Sequence, residues 1–145
     1  MPTFTGQETI KAAPERIWEF LMDPKRFSAC APAMKHVKIK NEREFAFQVE
    51  IMGRGIDFTA KWVELTQPSY ARQKLEGGGM LTGGAKMDNQ FRIAEAGGIS
   101  TVDWSSDVEL SGAAKMLVSE SQLRGMVNEM IQDAVVCIKG QVETG

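Results

Sequence analysis

From Lys35 to Leu110 apolar residues return at every second position, segment after segment, and then the period changes to a helical stripe. That switch limits the fold more than any motif does. Alternation with period two puts one set of side chains on one face of a pleated strand. EFAFQVEIM sends Phe45, Phe47, Val49 and Ile51 to one side, and IDFTAKWVELTQ does the same for Ile56, Phe58, Ala60 and Trp62. In AKMDNQFRI the shared face holds Met87, Asn89, Phe91 and Ile93, and in ISTVDWSSDVEL it holds Val102, Trp104, Ser106 and Val108. HVKIK and YARQKLE complete six strands with short turns, so neighbours should pair antiparallel. Met116, Leu123, Val127, Met130, Ala134 and Ile138 then recur at helical spacing. A sheet with one apolar face must cover it, and this helix is the only element long enough to lie across it.

The start of the chain adds one strand and two short helices. FTGQETIK, residues 4–11, reads as a strand. PERIWEFLM follows with Ile17, Trp18, Leu21 and Met22 on one helical face, and Asp23-Pro24 both ends it and caps a second helix, PKRFSAC. Ser119 and Gln122 have capping-box spacing for the long helix, and SGAAKML before it reads as a loop or an extra turn. An α+β chain of 145 residues is the size of one domain, 1–145.

Several functions drop out on composition and spacing. A formal net charge of -2 carries no basic excess for nucleic acid. No stretch approaches the roughly 20 apolar residues of a membrane span, and the N-terminus alternates instead of forming an apolar block. Cys30 and Cys137 lack metal or redox spacing, so buried free thiols in a cytoplasmic protein are expected, with a bond between them left open. EGGGMLTGG is not a phosphate loop, because Ala85 separates the last glycine from Lys86 and no hydroxyl follows. His36 is the sole histidine and falls in a lysine-flanked strand, while Asp103 and Asp107 alternate with Trp104 and Ser106 toward solvent. No catalytic residue, metal ligand or cofactor site is assigned.

A hydrophobic pocket is a better fit to the pattern. The methionines at 87, 116, 126 and 130 fall on expected inward faces, where unbranched thioethers adapt to irregular shapes. Asn89 and Ser106 sit among apolar neighbours and would need partners, which a ligand headgroup can supply. The candidate lining is Phe45, Phe47, Val49, Phe58 and Trp62 from the first strands, Met87, Asn89, Phe91, Trp104 and Ser106 from the last two, and Leu123, Met126, Val127 and Met130 from the helix. Met80 and Leu81, set among five glycines, are candidates for a gate.

ETIKAAPERIWEFLMDPKRFSACAP, the glycine cluster at 77–84 and GAAKML ahead of the final helix together resemble the START-like or SRPBCC (Bet-v-like) helix-grip superfamily. The nearest likeness is to the CoxG-like family, that of the carbon monoxide dehydrogenase G subunit, over nearly the whole chain. The resemblance implies a seven-stranded antiparallel sheet gripping the long C-terminal helix around an elongated hydrophobic cavity. It also implies a lipid or quinone cargo and a role beside a molybdenum hydroxylase complex of the carbon monoxide dehydrogenase type. Longer relatives carry a C-terminal extension for membrane attachment, so a chain ending at Gly145 is expected to contact the inner face of a membrane only transiently. Two alternatives stay open: a cyclase or dehydratase using Tyr70 or His36, and an interaction module with a filled core.

Overall fold

The computed structural model describes residues 2–51, 53–79 and 83–143. Strand β1 (Thr3–Ile10) leads into α1 (Pro14–Leu21) and α2 (Pro24–Ala29). Strands β2 (Lys35–Ile39), β3 (Glu44–Ile51), β4 (Arg54–Thr66), β5 (Tyr70–Gly79), β6 (Gly83–Ala96) and β7 (Ile99–Ser111) follow, then α3 (Ala113–Leu117) and α4 (Glu120–Val142). The helix starts are chemically local. Asp23 accepts from the backbone N–H groups of Lys25 and Arg26 at the head of α2, and Ser119 with Gln122 forms the expected capping box on α4.

All seven strands join one antiparallel sheet in the order β1-β7-β6-β5-β4-β3-β2. Six strands form a meander, and β1 pairs with the last of them, so α1 and α2 carry the chain from one sheet edge to the other. Together with the long C-terminal helix this is the α+β helix-grip architecture. The described glycines of the run belong to the sheet, with Gly78 opposite Gly84 and Gly79 opposite Gly83. A side chain at Gly83 would sit 2.3 Å from the Ala114 backbone nitrogen, so its bare backbone lets α3 fold tightly against the hairpin.

Among the described residues, the buried apolar side chains fall into three clusters. The main one packs α1 and the end of α4 onto the sheet through Ile17, Trp18, Phe20, Trp62, Ile93 and Val142. A second stacks Phe45, Phe47 and Phe58 around Ala60, and a third joins Phe4, Val108 and Val127.

Two expectations are corrected here. Cys30 and Cys137 are not free thiols: they form a disulfide tying the end of α2 to α4 across 107 residues, so the argument for a cytoplasmic protein from unpaired cysteines loses its footing. Met116 does not face inward. It belongs to the separate helix α3, turns at the sheet corner and is 88% exposed.

The convex face is tied by ion pairs. Arg72 donates from Nε and Nη2 to the two carboxylate oxygens of Asp88, at 2.9 and 2.6 Å, and from Nη1 to Glu64 at 2.9 Å. Those hydrogen bonds, more than the opposing burial, hold the Asp88 carboxyl below its usual range. A depressed folded-state value means the pair stabilises above about pH 4, and the contribution is lost as pH falls through the lower folded value. Asp88→Asn is therefore expected to flatten the acid limb of the stability profile in urea titrations run below about pH 5.

Candidate functional site

Antiparallel register lines up side chains from neighbouring strands, and on the concave face it builds three rows. The central row is polar. Ser106 on β7 stands opposite Asn89 on β6, which stands opposite Gln73 on β5, with Phe4 and Trp62 at the two ends. On one side runs Val108, Met87, Leu75, Ala60 and Phe45. On the other runs Gly6, Trp104, Phe91 and Ala71. A neutral hydrogen-bonding stripe thus crosses an apolar surface, and these three rows contain no titratable side chain.

Two atoms of this face stand out. Ser106 Oγ and Trp104 Nε1 are buried and have no hydrogen-bond partner among the described residues. A buried donor left unpaired costs about 1–3 kcal/mol, so such atoms call for an explanation. The indole lies over the bare backbone of Gly6, where a Cβ would come within 2.5 Å of the Trp104 ring. Ser100, the other buried serine, is satisfied, donating to the Ala12 carbonyl at 2.6 Å.

The helix covers this face unevenly. Arg124 sets its guanidinium 5.2 Å over the ring of Phe4 on the edge strand β1, and Val127 packs beside the same ring. At about 3.6 residues per turn, Met126 and Met130 stand on the opposite flank of the Val127 stripe, away from β1. Neither faces inward as expected: both are exposed, at 42% and 47%, because no other described element covers that flank of the helix, while Leu123 is half-buried. Across the sheet Val49, Ile56, Leu75 and Met87 are likewise only half-buried. Beneath α2 the packing is tighter, with a space of only about 10 Å³ between Leu21, Pro24, Phe27, Phe45, Trp62, Gln73 and Phe91, about one water molecule. A groove of about 460 Å³, lined by Thr5, Gly6, Gln7, Gln90, Arg92, Asp103, Trp104 and Ser105, is broad and open along β1, β7 and β6. Gln7 and Asp103 already bond to each other there, at 2.8 Å.

The expected lining residues therefore divide. Phe45, Phe47 and Phe58 share one cluster with Val49 at its margin; Trp62 and Phe91 meet at 6.2 Å by the helices; Met87, Trp104, Leu123 and Val127 join Phe4. Asn89 and Ser106 lie between these groups in the polar row. Gln73 was missed, although Ala71, Gln73 and Leu75 alternate within YARQKLE and mark one face. Met80 and Leu81 lie outside the described residues. His36 is exposed on the edge strand, and Tyr70 lies under the Arg92 guanidinium at 4.6 Å, so neither shares the concave rows. Asp103 and Asp107 accept hydrogen bonds from Gln7 and Thr3 on the outer face. No group of three metal-ligating side chains occurs among the described residues.

The family model for the carbon monoxide dehydrogenase G subunit (CoxG) matches residues 6–143. A comparison with curated proteins finds no match. Among solved structures, a conserved protein from Geobacillus kaustophilus superposes with a TM-score of 0.86 at 18% identity, over 97% of this chain and 94% of that one. A START superfamily protein from Mycobacterium smegmatis gives 0.77 at 18% identity over 97% of both chains. The Zhui aromatase/cyclase from Streptomyces sp. R1128 gives 0.79 at 15% identity, over 98% and 93%. At these identities the structures share the fold, and no activity passes from them.

Proposed function

We propose that this chain, which belongs to the CoxG family of carbon monoxide dehydrogenase G subunits, is a non-enzymatic carrier of an uncharged hydrophobic small molecule such as a quinone or lipid. The cargo would lie between the concave sheet face and the N-terminal half of α4, passing to or from a molybdenum hydroxylase with transient contact at a membrane. The family description supports the link to carbon monoxide dehydrogenase. Among the described residues no helix is long and apolar enough to cross a membrane, which is consistent with surface contact. The observation that carries the reading is the pair of buried, unpartnered atoms, Ser106 Oγ and Trp104 Nε1, on an apolar surface. An indole N–H only donates, so the cargo should present an acceptor oxygen there, and the neutral row selects against a charged head. Acid–base catalysis lacks a titratable pair in these rows, which is why carriage ranks above the enzymatic reading.

Native mass spectrometry after gentle purification should show a retained apolar adduct. Replacing Asn89 with Leu and Ser106 with Val should weaken binding of a short-tailed benzoquinone about five- to tenfold, the worth of one hydrogen bond or so. Uptake of an alkane probe should not change. A bare mass, with no saturable uptake of either probe, would defeat the carrier reading.

A further inference from the structure

The sheet has two outer strands, β1 and β2, and they differ in how they meet solvent. Strand β2 is five residues long, breaks register between Lys35 and Lys38, and holds His36 in the left-handed region at a φ of 55°. Shortness, irregular backbone and lysines are the usual means of blunting an edge against other chains. Strand β1 uses none of these. Its eight residues, Thr3–Ile10, keep an unbroken register with β7, from Thr3 opposite Asp107 to Ile10 opposite Ser100, and contain no lysine, arginine or proline. Glu8 is its single charged side chain, and among the described residues it forms no ion pair.

One hydrogen bond fixes the direction of the β1 backbone groups. The Val108 N–H donates to the Pro2 carbonyl, and along an antiparallel pair the residues bonded to the neighbouring strand alternate. Phe4, Gly6, Glu8 and Ile10 therefore bond to β7, while the N–H and C=O groups of Thr3, Thr5, Gln7 and Thr9 point away from it. Among the described residues no strand pairs on that outer side, and these four make no other backbone hydrogen bond. Antiparallel pairing with a second β1 about a two-fold axis at Gly6 uses all of these groups. Thr3 meets Thr9 and Thr5 meets Gln7, so four pairs form about eight bonds, against about ten in a typical interface. An axis at Thr5 or Gln7 would instead carry Thr9 or Thr3 past the end of the facing strand. The axis at Gly6 also sets Glu8 opposite Phe4 on the concave side. Arg124 holds its guanidinium 5.2 Å over the Phe4 ring, so each Glu8 carboxylate arrives beside a cation of the other copy.

We propose that β1 is a dimerisation edge, where a second copy of this chain pairs antiparallel about Gly6 and joins two sheets into one. An extended segment of an unrelated protein could satisfy the same backbone groups, but the match of Glu8 to Arg124 is a property of the chain against itself. Pairing covers little apolar area, because the exposed β1 side chains are threonines and Gln7, so association is weak and reversible. The assignment does not rest on the carrier reading, because it uses the outer edge of the sheet and is measured without cargo.

Sedimentation velocity over about 1 to 500 µM should show a reversible monomer–dimer equilibrium. Raising the concentration should slow amide exchange at Thr3, Thr5, Gln7 and Thr9, the outward set, more than at Phe4 and Glu8. Thr5→Pro removes one outward N–H from each copy and no bond to β7, so dimerisation should weaken about ten- to a hundredfold. Arg124→Glu tests the same register without altering the strand. Alone it should weaken dimerisation about tenfold, and combined with Glu8→Arg it should recover, because the charges again oppose. A monomer over the whole range, a dimer indifferent to Thr5→Pro, or a double variant no tighter than Arg124→Glu alone would overturn the assignment.

Discussion

Phe20→Ala should lower stability by about 3–5 kcal/mol, the usual range for emptying a buried aromatic site. Phe20 is 1% exposed and packs in the cluster that locks α1 and the end of α4 to the sheet. Its neighbours come from several elements, so the hole has no single side chain able to fill it, and only part of the gap closes by relaxation. Against a total of about 5–15 kcal/mol for an ordinary domain, this is a large share. Urea unfolding monitored by tryptophan fluorescence reads it directly. Met126→Ala supplies the contrast, since a side chain 42% exposed on the open flank of α4 should change stability by under about 1 kcal/mol. If the two variants lost similar amounts, the picture of one tight end and one loose end would fail.

Removing the cross-link with Cys137→Ser should cost about 2–4 kcal/mol in oxidising buffer. The bond closes a loop of 107 residues, so it restricts the unfolded chain strongly, and the effect grows with loop length. It also has a local job. Helix α2 has six residues and none of them is fully buried, so its hold on the body rests on Phe27 and on Cys30 at its C-cap, which is 2% exposed. Dithiothreitol should destabilise the native chain by a similar amount and leave Cys137→Ser unchanged. Two titratable thiols in the denatured, unreduced protein would refute the cross-link.

On the proposed carrier reading, the same two ends set where the cargo would sit. The end closed by α1, α2 and the tail of α4 leaves room for about one water, whereas Met126 and Met130 stay exposed on the flank of α4 away from β1. Rigid support on one side and loosely packed thioethers on the other let a site change shape without unfolding its frame.

Element type was legible in the residues because its causes act over a few positions. Alternation in EFAFQVEIM, the Asp23 cap and the Ser119–Gln122 box each depend on neighbours within about four residues, and each is present in the fold. Seven strands and a covering helix were already readable from these local patterns; the family likeness identified them as the helix-grip fold, and the match over residues 6–143 agrees with it.

Relations between distant segments were decided only in three dimensions. Gln73, Asn89 and Ser106 form one row because strand register aligns them, and a shift by one position would turn them to opposite faces. Cys30 meets Cys137 only when α2 and α4 pack at one end, which no spacing rule anticipates. Met116 looked like part of the long stripe until α3 ended and Val118 broke the phase before α4 began. Local periodicity tells which way a side chain points from its own element; whether another element stands there to bury it depends on where the rest of the chain returns.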